Sequence, residues 1–318
     1  MNQINTTYKS DHCRICKSPF GDSFVAREMM FGFRDQFNYQ QCASCGCVQI
    51  AELPENIDKY YPSYYYSFTA DTAKLKRQPF LKRLFGAARL KKLFKRDRPA
   101  LRYLKPIQVK LSDHILEIGC GKGQQICNLF NMGFENIEGV DKFIPAEIDH
   151  GYGVKIMKKD LHELKPDNYD LIIMNHVLEH MDQQQDVLKS CYQLLKDGGC
   201  LMIAIPLIAE AFTRYKENWV QLDAPRHFFL HTVKSMQILA EQTGFEIKHT
   251  MFDSLSFQFW ASELYKQDIP LFSEENNFKA YPFEKIFSQE EMANFDREAA
   301  KLNQEGKGDT GVFYLYKA

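Results

Sequence analysis

The sequence predicts an α/β fold: a doubly wound, mostly parallel sheet of seven strands, preceded by a small cysteine-rich module. Three observations carry this prediction. From about residue 114 onward, apolar runs alternate with helical stretches, the pattern of strand–helix–strand units. The first of these runs, His114-Ile115-Leu116-Glu117-Ile118-Gly119, ends in glycines, as a buried parallel strand does before a tight turn. The first fifty residues carry two Cys-x-x-Cys pairs, a spacing foreign to a sheet and suited to a metal.

The elements follow in order. A helix is predicted from Gln124 to Met132, closed by Gly133. Residues 136–141 form the second strand, 154–160 a short third and 169–175 a strong fourth. A helix runs from Asp186 to Leu195, and residues 199–206 make a fifth strand that Pro206 ends. Thr232 is an N-cap for a helix reaching Thr243 and stopping at Gly244. Residues 245–251 and 311–317 supply the sixth and seventh strands. Two stretches, 207–231 and 254–310, lack strand character and read as insertions, the places where such folds carry substrate specificity. The expected organisation is a cysteine module with a tyrosine-rich tail over 1–70, a basic helical linker over 71–108 and the α/β domain over 109–318.

Bulk properties exclude several classes. The 318 residues are 45% hydrophobic and 25% charged, with a formal net charge of -1. That is ordinary globular composition and offers no whole-molecule support for nucleic-acid or membrane binding. No run approaches the roughly 20 apolar residues of a membrane span, and the first thirteen residues lack the apolar core of a secretory signal. With nine cysteines, an odd count, the expectation is a reducing cytoplasm and thiols that are free or metal-bound. Between Lys74 and Lys105 stand thirteen Lys or Arg against one acid, Asp97. An amphipathic helix is expected at 80–96, where Phe80, Leu81, Leu84, Phe85 and Ala88 recur at helical spacing. It fits a solvated linker, an anionic membrane face or a phosphorylated acceptor; the few aromatics between its charges rank RNA lowest.

Glu117-Ile118-Gly119-Cys120-Gly121-Lys122-Gly123 joins the first strand to the first helix. Glycines there let a backbone approach a ligand, and the helix start offers free N–H donors. Asp141 ends the second strand, where a carboxylate can accept both hydroxyls of a ribose. Asp160 follows the third strand, where it fits either an adenine amino group or a helix N-cap. Asn175-His176-Val177-Leu178-Glu179-His180 follows the fourth strand.

This set resembles the class I S-adenosylmethionine (SAM) dependent methyltransferases over roughly 110 to 318, with their Rossmann-like sheet. The resemblance implies that Glu117, Gly119, Gly121 and Gly123 form the methionine-side loop, that Asp141 holds the ribose, and that Asp160 and Leu161 bracket the adenine. Cys120, inside the turn, and Asn175, at the strand end, complete the candidate cofactor set. Glu179 and His180 read as scaffold, and His176 as a catalytic candidate.

Cys13, Cys16, Cys42 and Cys45 have the spacing of two zinc knuckles. Four thiolates fill a tetrahedral site, so the zinc is expected to be structural, stabilising a segment too small to bury its own core. Cys47 is an alternative ligand. Cys120, Cys127, Cys191 and Cys200 fall on or beside core elements, as small hydrophobes do. The knuckles and the run Asp58-Lys59-Tyr60-Tyr61-Pro62-Ser63-Tyr64-Tyr65-Tyr66 resemble the zinc module of sugar methyltransferases that act on nucleotide-linked deoxysugars.

The string 222–232, Leu-Asp-Ala-Pro-Arg-His-Phe-Phe-Leu-His-Thr, resembles one in methyltransferases of glycan gene clusters. His227 is the candidate base, with Asp223 or Arg226 orienting it or the substrate; a salt-bridged structural turn is the plain alternative. Carbon-methylating relatives carry a Tyr-His-Glu-His-like cluster here, whereas Phe228 and Phe229 follow His227, which favours methylation at oxygen. The expected acceptor is a sugar nucleotide or glycan intermediate, met in the cytoplasm or at the inner face of its membrane. An RNA methyltransferase with a zinc module and a zinc- and SAM-binding scaffold without turnover are the rivals.

Overall fold

The computed structural model describes residues 11–62, 64–65, 72–76, 86–95, 99–166, 169–273 and 279–317. Three strands come first, β1 (Phe20–Arg27), β2 (Gln36–Cys42) and β3 (Val48–Ile50), paired as an antiparallel meander. Two helices, α1 (Gly86–Phe94) and α2 (Pro99–Arg102), lead into the larger unit. Then follow β4 (Ile115–Ile118), α3 (Gln124–Met132), β5 (Ile137–Val140), β6 (Ile148–Gly151), β7 (Val154–Met157) and β8 (Tyr169–Asn175). The remainder is α4 (Gln184–Leu194), β9 (Leu195–Pro206), α5 (Glu210–Tyr215), β10 (Phe229–Leu230), α6 (Val233–Gln242), β11 (Phe245–Phe252), α7 (Phe257–Lys266), α8 (Gln289–Gln304) and β12 (Thr310–Lys317).

The large sheet has the order β11-β12-β9-β8-β4-β5-β7-β6. Strands β9, β8, β4, β5 and β7 are parallel, and β12 inserts antiparallel between β9 and β11. The first strand of the domain, β4, therefore lies between β5 and β8, and the chain winds outward from it in both directions. The crevice at such a reversal, outside the carboxyl ends of the strands, is where these folds bind ligands.

Burial explains why the strand sequences read as unbroken apolar runs. Along β8, Ile172 and Met174 pack on one face, with Val187, Leu188 and Cys191 of α4 and Met236 and Leu239 of α6. Their neighbours Leu171 and Ile173 pack on the other face, with Ile126, Leu129 and Phe130 of α3. Along β9, Leu201, Ile203 and Ile205 share the first core, and Cys200, Met202 and Ala204 share the second. Alternate side chains thus enter opposite cores, and both must be apolar.

Several boundaries differ from the sequence expectation. The sheet gains an eighth strand, β6, a polar edge segment that pairs antiparallel with β7 across the Gly151–Gly153 turn. Its exposed face leaves no apolar alternation to detect. Helix α4 starts at Gln184, two residues before Asp186. Of the apolar positions expected to define the basic helix, Phe80 to Phe85 lie outside the described residues, and α1 begins at Gly86. Among the described residues, no helix is long and apolar enough to cross a membrane.

The stretch 207–231 holds strand β10, which pairs with β3 and completes a four-stranded sheet, β1-β2-β3-β10. The small sheet is therefore not built from the amino-terminal segment alone. Two residues are too few to give a strand signal in sequence. Cores are shared as well: Cys13, Ile15, Cys42, Cys45 and Cys47 belong to the α4–α6 core of the large sheet. Tyr39, Val48 and Ile50 pack with Phe212, Trp219, Leu222 and Leu230.

A buried ion-pair group locks the two parts together. The Arg226 guanidinium is fully buried; it donates to Glu28 Oε1 at 2.8 Å, to both oxygens of Asp223 and to the Tyr60 carbonyl at 3.0 Å. Glu28 also accepts the backbone N–H groups of Phe31 and Phe33. Removing one member leaves uncompensated charge in the interior, which costs about 3–5 kcal/mol. Arg226→Ala is expected to lower the thermal midpoint accordingly, read by calorimetry; an unchanged midpoint would show that water replaces the guanidinium.

Candidate active site

The site forms where β4, β5, β7 and β8 end. Backbone geometry dictates the glycines of the first turn. Gly119 has φ +66°, and a Cβ there would lie 2.5 Å from Val177 Cγ2. Gly123 has φ +81°, caps α3 without a side chain, and a Cβ would lie 2.6 Å from Ile156 Cδ1. Side chains are thus excluded by conformation and by space. Cys120 lies in the turn, half-buried, with its thiol directed toward the Gly121 carbonyl.

Asp141 braces this turn: Oδ2 accepts the Gly121 N–H at 2.9 Å and Oδ1 accepts the Phe143 N–H at 2.8 Å. A carboxylate has about four lone-pair sites, so two stay open to ribose hydroxyls. Glu117 is buried, and its Oε2 has no hydrogen-bond partner. Burial, then the charge of Asp141, pushes its carboxyl up to about 8. An unpartnered buried acid beside a second acid is short of a cation or donor, and SAM carries a sulfonium and an ammonium. The donor set fits that cofactor. Asp160 caps the turn 161–163 in a capping box with Glu163 and pairs with Lys142 at 3.2 Å, while Leu161 is buried. The capping role proposed as an alternative for Asp160 is therefore realised. Asn175 ends β8 with Oδ1 buried and unpartnered.

Around the strand ends the structure gathers three histidines and two acids. His176 adopts φ +54°, a left-handed conformation costly for a side-chain residue and typical of functional sites. Its Nδ1 lies 3.3 Å from Glu179 Oε1, and Glu179 is buried with Oε2 unpartnered. His180 Nδ1 lies 2.8 Å from the Arg226 carbonyl and 3.2 Å from the Tyr61 hydroxyl. Burial, then the neighbouring His227, lowers its pKa to about 4, so it is neutral near pH 7. His227 Nδ1 lies 2.8 Å from the Gln221 carbonyl, and its ring meets that of His180 at 4.7 Å, edge to face. A carbonyl can only accept, so Nδ1 of each ring carries a proton, and in a neutral ring the lone pair is at Nε2. Asp223 Oδ2 stands 3.8 Å from His227 Nε2.

The structure thus brings His227 and Asp223 together and places His176 on the adjoining strand end. Arg226 faces no open space; its guanidinium is consumed by Asp223, Glu28 and Tyr60. In sequence His180 and Glu179 read as scaffold, and Tyr39 and Glu28 carry no functional signal. The Tyr39 hydroxyl donates to the His227 carbonyl at 3.0 Å. The tyrosine run did signal Tyr61; nothing local marks Tyr39 or Glu28, whose partners lie more than 180 residues away. Glu179, His180 and His227 also bring ligand-type atoms within 4.8 Å of one another.

The second cluster is Cys13, Cys16, Cys42 and Cys45, with sulfurs within 4.8 Å of one another. The Cys13–Cys45 and Cys16–Cys42 sulfurs are 3.7 and 3.4 Å apart. A tetrahedron with Zn–S bonds of 2.3 Å has edges of about 3.8 Å, so four thiolates here fit zinc. Cys47 is buried, with its thiol toward the Val48 carbonyl, outside that group of four. Arg14, inside the first knuckle, donates to Gln49 Oε1, to Asp182 just past His180, and to the Ile50 carbonyl.

Fold and site together define a class I SAM-binding domain. A family model described as a methyltransferase domain matches residues 76–250, and the chain belongs to that family. Among curated proteins, it is similar to a peramine synthetase of Metarhizium rileyi, 30% identical over 97 residues, which are 26% of this chain and 3% of the relative. It is also similar to a ubiquinone biosynthesis O-methyltransferase of Rickettsia bellii, 26% identical over 152 residues, 42% of this chain and 62% of the relative. The chain therefore spans less than two thirds of either relative. Among solved structures, mycolic acid cyclopropane synthase superimposes with a TM-score of 0.46 at 14% identity, covering 78% of this chain and 90% of that one.

Three outcomes are expected. Asp141→Ala should weaken SAM binding tenfold or more, since a charged hydrogen bond contributes roughly 1.5–3 kcal/mol. A cationic ligand near Glu117 draws its raised pKa down, so binding should release a proton and tighten between about pH 6 and 8; Glu117→Gln should flatten that profile in calorimetry. Metal analysis should find about one zinc per chain, with Cys16→Ser lowering stability; folded metal-free protein would exclude the zinc site.

Proposed function

We propose that this protein transfers a methyl group from SAM to a hydroxyl oxygen of a sugar or glycan-biosynthesis intermediate. The observation that carries the reading is the placement of the His227 ring, with Nδ1 anchored to the Gln221 carbonyl and Asp223 Oδ2 3.8 Å from Nε2. SAM supplies a methyl group made electrophilic by its sulfonium. Methyl transfer is an in-line displacement, so the protein must align the hydroxyl and accept its proton. His227 takes that proton at Nε2 as the carbon–oxygen bond replaces the carbon–sulfur bond. Asp223 stabilises the imidazolium, and Arg226 positions Asp223 by holding both its oxygens. His176, through Glu179, and His180 complete the polar wall of the site.

The ubiquinone relative is an O-methyltransferase by name, which supports oxygen as the acceptor atom. The sugar class rests on the likeness of the knuckles and of residues 222–232 to glycan methyltransferases. On this reading the zinc clamps the module that carries Tyr39, Glu28 and Arg14, and through them the loop bearing His227. The basic segment 80–96, described only from Gly86 to Lys95, is read as an attractor for a phosphorylated acceptor or an anionic membrane face.

His227→Ala is expected to lower turnover by at least about a hundredfold while SAM affinity, read by calorimetry, stays near that of the parent. Retained turnover on a panel of nucleotide sugars removes His227 from this role. A second equivalent of metal bound by the parent and lost in the variant would make the Glu179–His180–His227 cluster a metal site instead.

A further inference from the structure

The face of the large sheet that carries α3 is charged in one sense. The segment 74–105 holds thirteen bases and one acid, a charge of +12 that leaves -13 for the rest of a molecule of net charge -1. The near-neutral total therefore conceals a strong separation of charge. Folding lays this segment along the whole of α3. At the end of that helix Asn131 Oδ1 accepts the Lys76 N–H at 2.6 Å, and Asn131 Nδ2 donates to the Lys74 carbonyl at 3.0 Å. At its start Arg102 and Tyr103 line the same cavity as Gln124 and Gln125.

Packing decides which side chains meet solvent. Leu90, Leu93 and Phe94 of α1 enter the core shared with Leu129 and Phe130 of α3. That turns Lys91, Lys92 and Lys95 outward, and they are exposed together with Lys74 and Lys76. Among the described residues, the helices on this face, α1, α2 and α3, contain no acid. Charges interact over about 8 Å at physiological ionic strength, so cations this close repel one another until an anion approaches.

The strip suits an extended anion. Helix α3 has nine residues and is about 14 Å long, a greater span than one diphosphate. A nucleic acid is long enough, but apolar side chains stand among the cations. In sequence Phe80, Leu81, Leu84 and Phe85 surround Lys82 and Arg83, outside the described residues. Leu255 is 63% exposed and shares with the half-exposed Arg102 the rim of a cavity of about 420 Å³ that also reaches Asn175, Gln258 and Asp309. Such a mixture of cations and large apolar groups gains more from the headgroup–acyl boundary of a bilayer than from a phosphate backbone.

We propose that this face docks on an anionic lipid bilayer, with Lys74, Lys76, Lys91, Lys92 and Lys95 over the headgroups and the cavity rim at Arg102 and Leu255 turned toward them. The proposal goes beyond methyl transfer: it commits the basic segment to one occupant and brings the protein to acceptors carried on lipid. It does not depend on the SAM reading.

The test is cosedimentation of the full chain with vesicles of phosphatidylcholine, alone or mixed with phosphatidylglycerol. The parent should bind the mixed vesicles, leave the neutral ones and be released by salt. Lys91→Glu, Lys92→Glu and Lys95→Glu combined should weaken binding at least about tenfold, since each cation near such a surface contributes roughly fivefold. The same three positions changed to Arg should keep it. Circular dichroism melting checks the fold; should the Glu variant not fold, the triple Gln variant, which removes charge without reversing it, should show the loss. No binding to mixed vesicles, equal binding to neutral ones, or undiminished binding by the charge variants overturns the proposal. If mixed vesicles fail and RNA or a nucleotide sugar binds through the same lysines, the strip belongs to that anion instead. S-adenosylhomocysteine affinity should be alike in parent and variants; its absence in all of them would overturn the SAM reading and leave the bilayer proposal standing.

Discussion

The buried contact between Arg226 and two carboxylates organises the rest of the site. Glu28 comes from the loop after β1, and Asp223 from the loop that bears His227. A guanidinium without solvent access must satisfy its charge from the protein, and its planar fork fixes the direction of each partner. Because the next residue is His227, the geometry of that ring is set by the same contact. The Tyr39 and Gln221 hydrogen bonds then leave the ring little freedom.

This gives the cysteine cluster a mechanical consequence. The second knuckle follows β2 directly, and β3 pairs with β10, the strand beginning two residues after His227. The Thr232 hydroxyl donates to the Cys45 carbonyl, and Gln242 of α6 donates to the Ile15 carbonyl. A metal that holds the four thiolates therefore also holds the frame on which the histidine loop is hung. The module is small, but its core is continuous with that of the large sheet, which a peptide of its size could not supply alone.

On the other side of the strand ends, the chain leaves polar atoms unpaired at chosen places. Glu117, Asn175, Glu179 and Gln258 each carry a buried oxygen without a donor. Such groups are costly in a folded interior, and two of them, Asn175 and Gln258, line one cavity at the strand ends. The left-handed backbone of His176, between Asn175 and Glu179, lies in the same place.

Sequence by itself determined the parallel sheet, because strands buried on both faces must be apolar at every position, as Leu171 to Met174 are. It determined the glycine turn and the acid at 141, because only glycine fits Gly119 and Gly123 and the acid ends a predictable strand. It marked the four cysteines by spacing. The eighth strand, the membership of β10 in the small sheet and the place of Glu28, Tyr39, Arg102, Gln258 and Asp309 were decided only by tertiary structure. Their partners lie far away along the chain, so no local period or spacing records them. A residue such as Arg226 reads in sequence either as a charge for the site or as part of a salt-bridged turn; folding decides for the second, with its charge spent inside the protein.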